Sequence, residues 1–188
     1  MDPLAGWARA AAEGDDVAVG HLVRATQPEV LRLCGHLVDR ESAEDLAQET
    51  YLRALRSLPG YRGDAPFRLW LLGIARRTCA DALRARVRRR RLSERLLAHP
   101  REQVPPAVGA VDEDQLLAAL DPDRRAAFVL TQLLGLSYAE AAEACDVPVG
   151  TIRSRVARAR ADLVAAHPDA SRGATARRDT ARRDARTG

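Results

Sequence analysis

"LSYAEAAEACDVPVGTIRSRVARAR", residues 136–160, decides the fold of the second half of this chain. Ser137 is placed to cap a short alanine-rich helix, the Asp146–Pro148 stretch reads as a turn, and Thr151 stands near the start of a second helix. At about 100° per residue, Ile152, Val156, Ala159 and Leu163 form one stripe that must face its own core. Gly150, Ser154, Ala157 and Ala161 fall opposite, as a ridge of small residues. Arg153 and Arg160 flank one side of it, Arg155 and Arg158 the other. A thin ridge between guanidinium groups suits the DNA major groove, where arginines reach guanine edges and phosphates. The layout is that of a helix-turn-helix, and the alanines at 139, 141, 142 and 144 let two helices cross closely. An αα-hairpin with a solvated basic face is the plainer reading. The coincidence of turn, ridge and bilateral arginines favours the groove.

Composition agrees with a helical protein. The 188 residues suffice for two small domains, 46% are apolar and only 4% aromatic, a balance that favours an all-α fold. The basic residues are all arginine, and the net charge is +4. Cys34, Cys79 and Cys145 stand too far apart for a zinc or redox motif, so free thiols are expected, with no metal or cofactor site. No basic-then-apolar leader opens the chain, and no apolar run approaches the roughly 20 residues that span a bilayer. A cytoplasmic protein without stable membrane insertion is expected.

Along the first half, a helix from Leu4 to Glu13 ends at Gly14, and Asp15 or Asp16 caps the next. Pro28 sits where a new helix can start. Ser42, with Asp45 three residues on, is placed for a capping box before a helix from Ala43 to Leu58. Pro59 and Gly60 end it, and a further helix runs from Phe67 to about Arg89. Pro100, Pro105, Pro106 and Gly109 mark a flexible linker. Helices then follow from Asp112 to Leu120, from Pro122 to Leu134 behind an Asp121 cap, and through the helix-turn-helix to about Ala166. The end repeats Thr-Ala-Arg-Arg-Asp at 175 and 180 without large apolar residues, which predicts a disordered tail.

Three features of the first half point outward. On the Ala43–Leu58 helix the buried stripe is Ala47, Thr50, Ala54 and Leu58, with Leu46, Tyr51 and Leu55 at its margins. Asp45, Gln48, Glu49, Leu52 and Arg56 project from the other side. A leucine ringed by polar groups fits a docking patch, or a solvated face with one stray leucine. Arg76, Arg77, Arg84, Arg86 and Arg88 to Arg91, opposed only by Asp81, make a phosphate-binding footprint or a nonspecific clamp. Before them, "GYRGDAPFRLW" sets Tyr61, Phe67 and Trp70 around a glycine-bearing turn. Phe67 and Trp70 have core spacing, so Tyr61 is the better candidate to stack on an unpaired base.

The strings "EDLAQETYLRAL", "YRGDAPFRLWLLGIAR" and "LGLSYAEAAEACDVPVGTIRSRVARAR", in that order, resemble the extracytoplasmic-function (ECF) sigma factors of bacterial RNA polymerase. The second half resembles the actinobacterial sigma factor C subgroup. The resemblance implies a region 2 bundle over residues 1–95, a linker over 96–111, a region 4 helix-turn-helix over 112–167 and a tail over 168–188. It implies that Asp45, Gln48, Glu49 and Leu52 dock on core RNA polymerase. Tyr61, Arg62, Gly63, Asp64, Trp70, Arg76, Arg77 and Asp81 match positions that capture a flipped minus-ten base and open the duplex. Thr151, Arg153, Ser154, Arg155, Arg158 and Arg160 match those that read the minus-thirty-five element. Arg77 and Ala157 depart from common side chains of the family, which leaves the promoter sequence open. An anti-sigma factor clamping the two domains is a further implied partner. No catalytic constellation is present, and a recombinase lacks its serine or tyrosine set. The alternative is a free-standing helix-turn-helix regulator, dimeric and independent of polymerase.

Overall fold

The computed structural model describes residues 2–96 and 113–166, and every regular element among them is helical. In chain order these are α1 (Ala5–Ala12), α2 (Asp16–Leu37), α3 (Ala43–Ser57) with a 3₁₀ turn at Leu58–Gly60, α4 (Phe67–Leu96), α5 (Glu113–Ala118), α6 (Pro122–Phe128), α7 (Tyr138–Cys145) and α8 (Val149–Ala166). The expected linker, apart from Leu96 at the end of α4, and the expected tail lie outside the described residues.

The first unit is a bundle of α2, α3 and α4 with α1 laid on α2. Its centre is Val30, Leu33 and Cys34 of α2 against Leu71, Leu72 and Cys79 of α4, all essentially without solvent contact. Asp15 is the cap of α2, accepting from the amides of Val17 at 2.8 Å and Ala18 at 3.2 Å. Pro28 does not start a helix; it lies inside α2. Proline removes one backbone donor and crowds the carbonyl four residues earlier. Here the ring is on the exposed face, while Leu22, Thr26, Val30 and Leu33 are buried on the other, and that burial holds the helix continuous.

The capping box at Ser42 is likewise absent. Ser42 is in the right-handed helical region and caps nothing. Its amide instead donates to Asp39 Oδ1 at 2.8 Å, and its hydroxyl receives the Arg86 guanidinium. The start of α4 is capped from a distance: Asp2 Oδ2 accepts from the Phe67 amide at 2.7 Å, tying the chain start to the loop before α4. α4 also runs to Leu96, beyond the expected Arg89.

In the second unit α6 and α7 pack on α8 around Val129, Leu130, Ile152, Val156 and Ala159. Asp121 caps α6 through the amides of Asp123 at 3.1 Å and Arg124 at 3.2 Å. The helix does not continue regularly to Leu134, because residues Val129–Leu133 form a π turn. The Leu134 amide reaches back to the Val129 carbonyl at 3.0 Å, and Gly135 follows at φ 71°.

The two units pack together. α7 lies on α4, and Gly73 makes this possible: a Cβ there would stand 3.1 Å from the Ala144 carbonyl oxygen. Arg32 donates to the Leu133 carbonyl at 2.7 Å, satisfying an orphan acceptor at a helix end. Asp114 of α5 accepts from Arg40 at 2.7 Å and lies 3.4 Å from His36 Nδ1.

Candidate nucleic-acid interface and docking face

The helix-turn-helix is fixed at each joint by local chemistry. Ser137 and Glu140 form a reciprocal capping box at the start of α7, with distances of 2.8 and 3.2 Å. The accepted bonds lower the Glu140 carboxyl below the usual range, the Ser137 amide first and its hydroxyl next. At the turn, Asp146 adopts φ 55°, a left-handed conformation that Asp tolerates better than most side chains.

On α8, Ile152, Val156 and Ala159 are buried as the periodicity predicts, and Leu163 is half-buried. Gly150, Ser154, Ala157 and Ala161 are exposed, so the small ridge exists. Its arginines are not equivalent. Arg153 and Arg158 are exposed and make no ion pair among the described residues, whereas Arg155 is half-buried and paired with Asp123. Arg160 donates to Gln132 Oε1 at 2.6 Å. Thr151 is half-buried, its carbonyl accepting from the Ser154 hydroxyl at 2.9 Å.

The loop between α3 and α4 is built on an aromatic cluster. Phe67 is buried, and Trp70 and Tyr61 are half-buried with ring centroids 5.1 Å apart. The Tyr61 hydroxyl donates to the Ala65 carbonyl at 2.6 Å, which closes the loop on itself. Arg62, Gly63 and Asp64 form the exposed tip, where Gly63 takes φ 77° and Arg62 lies 3.1 Å from Asp64. Arg77 is exposed, but Arg76 is half-buried beside Cys145 of α7, with its Nε lacking a partner among the described residues. Burial raises the Cys145 thiol, and Arg76 opposes that shift.

On α3, Asp45, Gln48 and Leu52 are exposed and Glu49 half-exposed. Leu55, expected at the edge of the buried stripe, is 39% exposed and joins Leu52 at 44%. Together with Val23, Gln27, Leu31 and Tyr51 they line a groove between α2 and α3. The α2 side of this groove was missed in the sequence. Val23, Gln27 and Leu31 have the i, i+4, i+8 spacing of one helical stripe, a signal hidden by reading Pro28 as a break.

Arg53 was also missed. It donates through Nε to Glu49 Oε1 at 2.7 Å and through Nη1 to Asp81 Oδ2 at 2.6 Å. The other Asp81 oxygen accepts from Arg84. These two guanidinium groups, Arg53 first, hold the Asp81 carboxyl below the usual range. The spacing from Glu49 to Arg53 is legible as an i, i+4 pair, but the bond across to α4 is not.

All three cysteines are buried and free. Among the described residues no acidic, histidine and cysteine group is arranged for a metal ion, and no helix is long and apolar enough to cross a membrane.

Comparison with known proteins places the chain in a family. Residues 22–89 match the Sigma-70 region 2 model and residues 112–163 the Sigma-70 region 4 model. The chain is 45% identical over 171 residues to the ECF RNA polymerase sigma factor SigC of Mycobacterium tuberculosis, covering 86% of this chain and 90% of that protein. It is 32% identical over 163 residues to the ECF RNA polymerase sigma-E factor of Escherichia coli, covering 79% and 85%. Among solved structures, CnrH in complex with the cytosolic domain of CnrY superposes with a TM-score of 0.63 at 26% identity, covering 85% of this chain and 93% of that one. The sigma factor RpoE in complex with the anti-sigma factor NepR from Bartonella quintana gives 0.63 at 28% identity, covering 77% and 93%. With both regions matched in order and a relative at this identity across most of its length, the chain belongs to the ECF sigma factors of bacterial RNA polymerase, and is SigC-like within them.

Proposed function

We propose that this sigma factor engages core RNA polymerase through the α2–α3 groove and reads promoters at two points, without catalysis of its own. The observation that carries the reading is the pairing, on one chain, of an uncovered apolar patch at Leu52 and Leu55 with an arginine-flanked ridge on α8. An apolar centre rimmed by Gln48, Glu49 and Asp45 is the anatomy of a protein interface. The ridge of Ser154 and Ala157 lets a helix backbone approach base edges, with Arg153 and Arg158 free to reach guanine or phosphate. Thr151, Arg155 and Arg160 complete the minus-thirty-five surface, Arg155 and Arg160 from positions already held by Asp123 and Gln132.

The tip at Arg62, Gly63 and Asp64, backed by Tyr61 and Trp70, is the minus-ten surface, and trapping an unstacked base there offsets part of the cost of opening the duplex. Further along α4, exposed Arg77 and half-buried Arg76 supply positive charge for the opened duplex. A sigma factor bound to its anti-sigma factor among the structural relatives supports an anti-sigma partner for this chain also.

Run-off transcription with purified core polymerase on promoters selected from a random library tests the reading. Initiation by the wild type that is lost in the Gln48→Ala, Glu49→Ala double variant is the expected result. A double variant as active as the wild type would remove the docking face. DNA binding by the protein alone, without initiation, would favour a free-standing regulator.

A further inference from the structure

The Arg53–Asp81 salt bridge ties α3 to α4. It joins two surfaces of separate purpose, because Glu49 at one end belongs to the docking face and Asp81 at the other to the helix of the minus-ten surface. We propose that Arg53 is a positioning residue that couples polymerase docking to promoter engagement.

The inference rests on the docking and minus-ten assignments above. Three features of the geometry carry it. Arg53 uses different nitrogens for the two carboxylates, so one planar group fixes both at once, a task that the single ammonium of lysine cannot share in the same way. Glu49 commits only Oε1 to Arg53, which leaves Oε2 for a cation on the polymerase from a side chain already held in place. Asp81 commits both oxygens, one to Arg53 and one to Arg84. Its carboxylate is therefore engaged inside the protein, and its effect on DNA passes through the arginines that it orients. Those arginines line a cleft with Arg56 and Arg77, neither of which has an ion-pair partner among the described residues. Drawing Glu49 toward the polymerase shifts Arg53, and with it Asp81 and the cleft.

The test measures affinity of the full-length chain for purified core RNA polymerase. Asp81 does not line the α2–α3 groove, so an additive picture predicts that Asp81→Asn has no effect on docking. Coupling predicts weaker core binding, by about two- to thirtyfold, the span of energies carried by such networks. It also predicts that Asp81→Asn adds nothing in an Arg53→Met background. Arg53→Lys, which keeps the charge and the stem, should keep the melting temperature of the wild type yet lose this sensitivity to Asp81; a purely structural role for Arg53 would restore both together. Unchanged core binding in Asp81→Asn, or an equal loss with and without Arg53, overturns the coupling. Glu49→Gln separates the two failures. If it weakens docking while Asp81→Asn does not, only the coupling is lost; if it too leaves docking intact, the docking assignment falls and the coupling with it.

Discussion

Replacing Gly73 should separate the two units while leaving the first one folded. An added Cβ would lie 3.1 Å from the Ala144 carbonyl oxygen and 3.8 Å from that carbonyl carbon and from the Arg77 side chain. The near atom is helix backbone, which cannot swing aside, so α7 must retreat by a few tenths of an ångström for Gly73→Ala and much further for Gly73→Leu. Overpacking of this kind costs about 1–3 kcal/mol, roughly a 5- to 150-fold shift against the packed arrangement. Inside α4 itself the sign is opposite, because removing a mid-helix glycine gains up to about 1 kcal/mol. The two effects are read by different probes. Both tryptophans, Trp7 and Trp70, lie in the first unit, so their emission in urea should give an unchanged or higher midpoint. Small-angle scattering of the full chain should show a larger radius of gyration, graded from Ala to Leu, and hydrogen exchange should accelerate along α7. A leucine variant with the scattering curve and α7 protection of the wild type would refute the argument that Gly73 sets this packing.

Two further outcomes follow from charge placement. Asp81 and Glu140 are held below their unfolded values, by Arg53 and Arg84 and by the Ser137 amide and hydroxyl respectively, so the unfolded chain binds more protons as they titrate. Their stabilisation is complete above the ordinary carboxylate range, by about pH 5, and is lost as pH falls through their lowered folded values; urea midpoints from about pH 6 down to about pH 3 should fall less steeply in an Asp81→Asn, Glu140→Gln variant. On α8, alanine at Arg153 or Arg158 should flatten the salt dependence of promoter binding by about 0.9 in log-log slope for each phosphate no longer neutralised. Alanine at Arg155 should in addition lower thermal stability, measured by circular dichroism, since it breaks the tie to Asp123 on α6.

The helix-turn-helix was legible almost residue by residue. Its Ser137 cap, its turn at Asp146 and the buried stripe of Ile152, Val156 and Ala159 are local rules, satisfied within about four residues of one another. The Asp121 cap and the outward face of α3 at Gln48 and Leu52 were readable for the same reason. The errors also share a cause. Pro28 and Ser42 carry local signals for a helix boundary and a cap, and both were overruled by the packed structure: the buried face of α2 in one case, Asp39 and Arg86 in the other. The polymerase and promoter roles came from resemblance to a family, and its motifs lie on helices whose form the periodicity had already specified.

Sequence alone thus determined that the regular elements among the described residues are helical, together with the ridge of α8 and the identity of its flanking arginines, because helix period and capping are set by near neighbours. Tertiary structure alone decided which arginines are free. Arg153 and Arg158 make no ion pair among the described residues, while Arg155 and Arg53 are held by Asp123 and Asp81, partners 32 and 28 residues away on other helices. It likewise decided that Asp2 caps α4, that Leu55 is uncovered and that Gly73 receives α7. A guanidinium carries the same charge wherever it stands in the chain, but its reach finds a partner only once the packing of helices has brought one within about 3 Å.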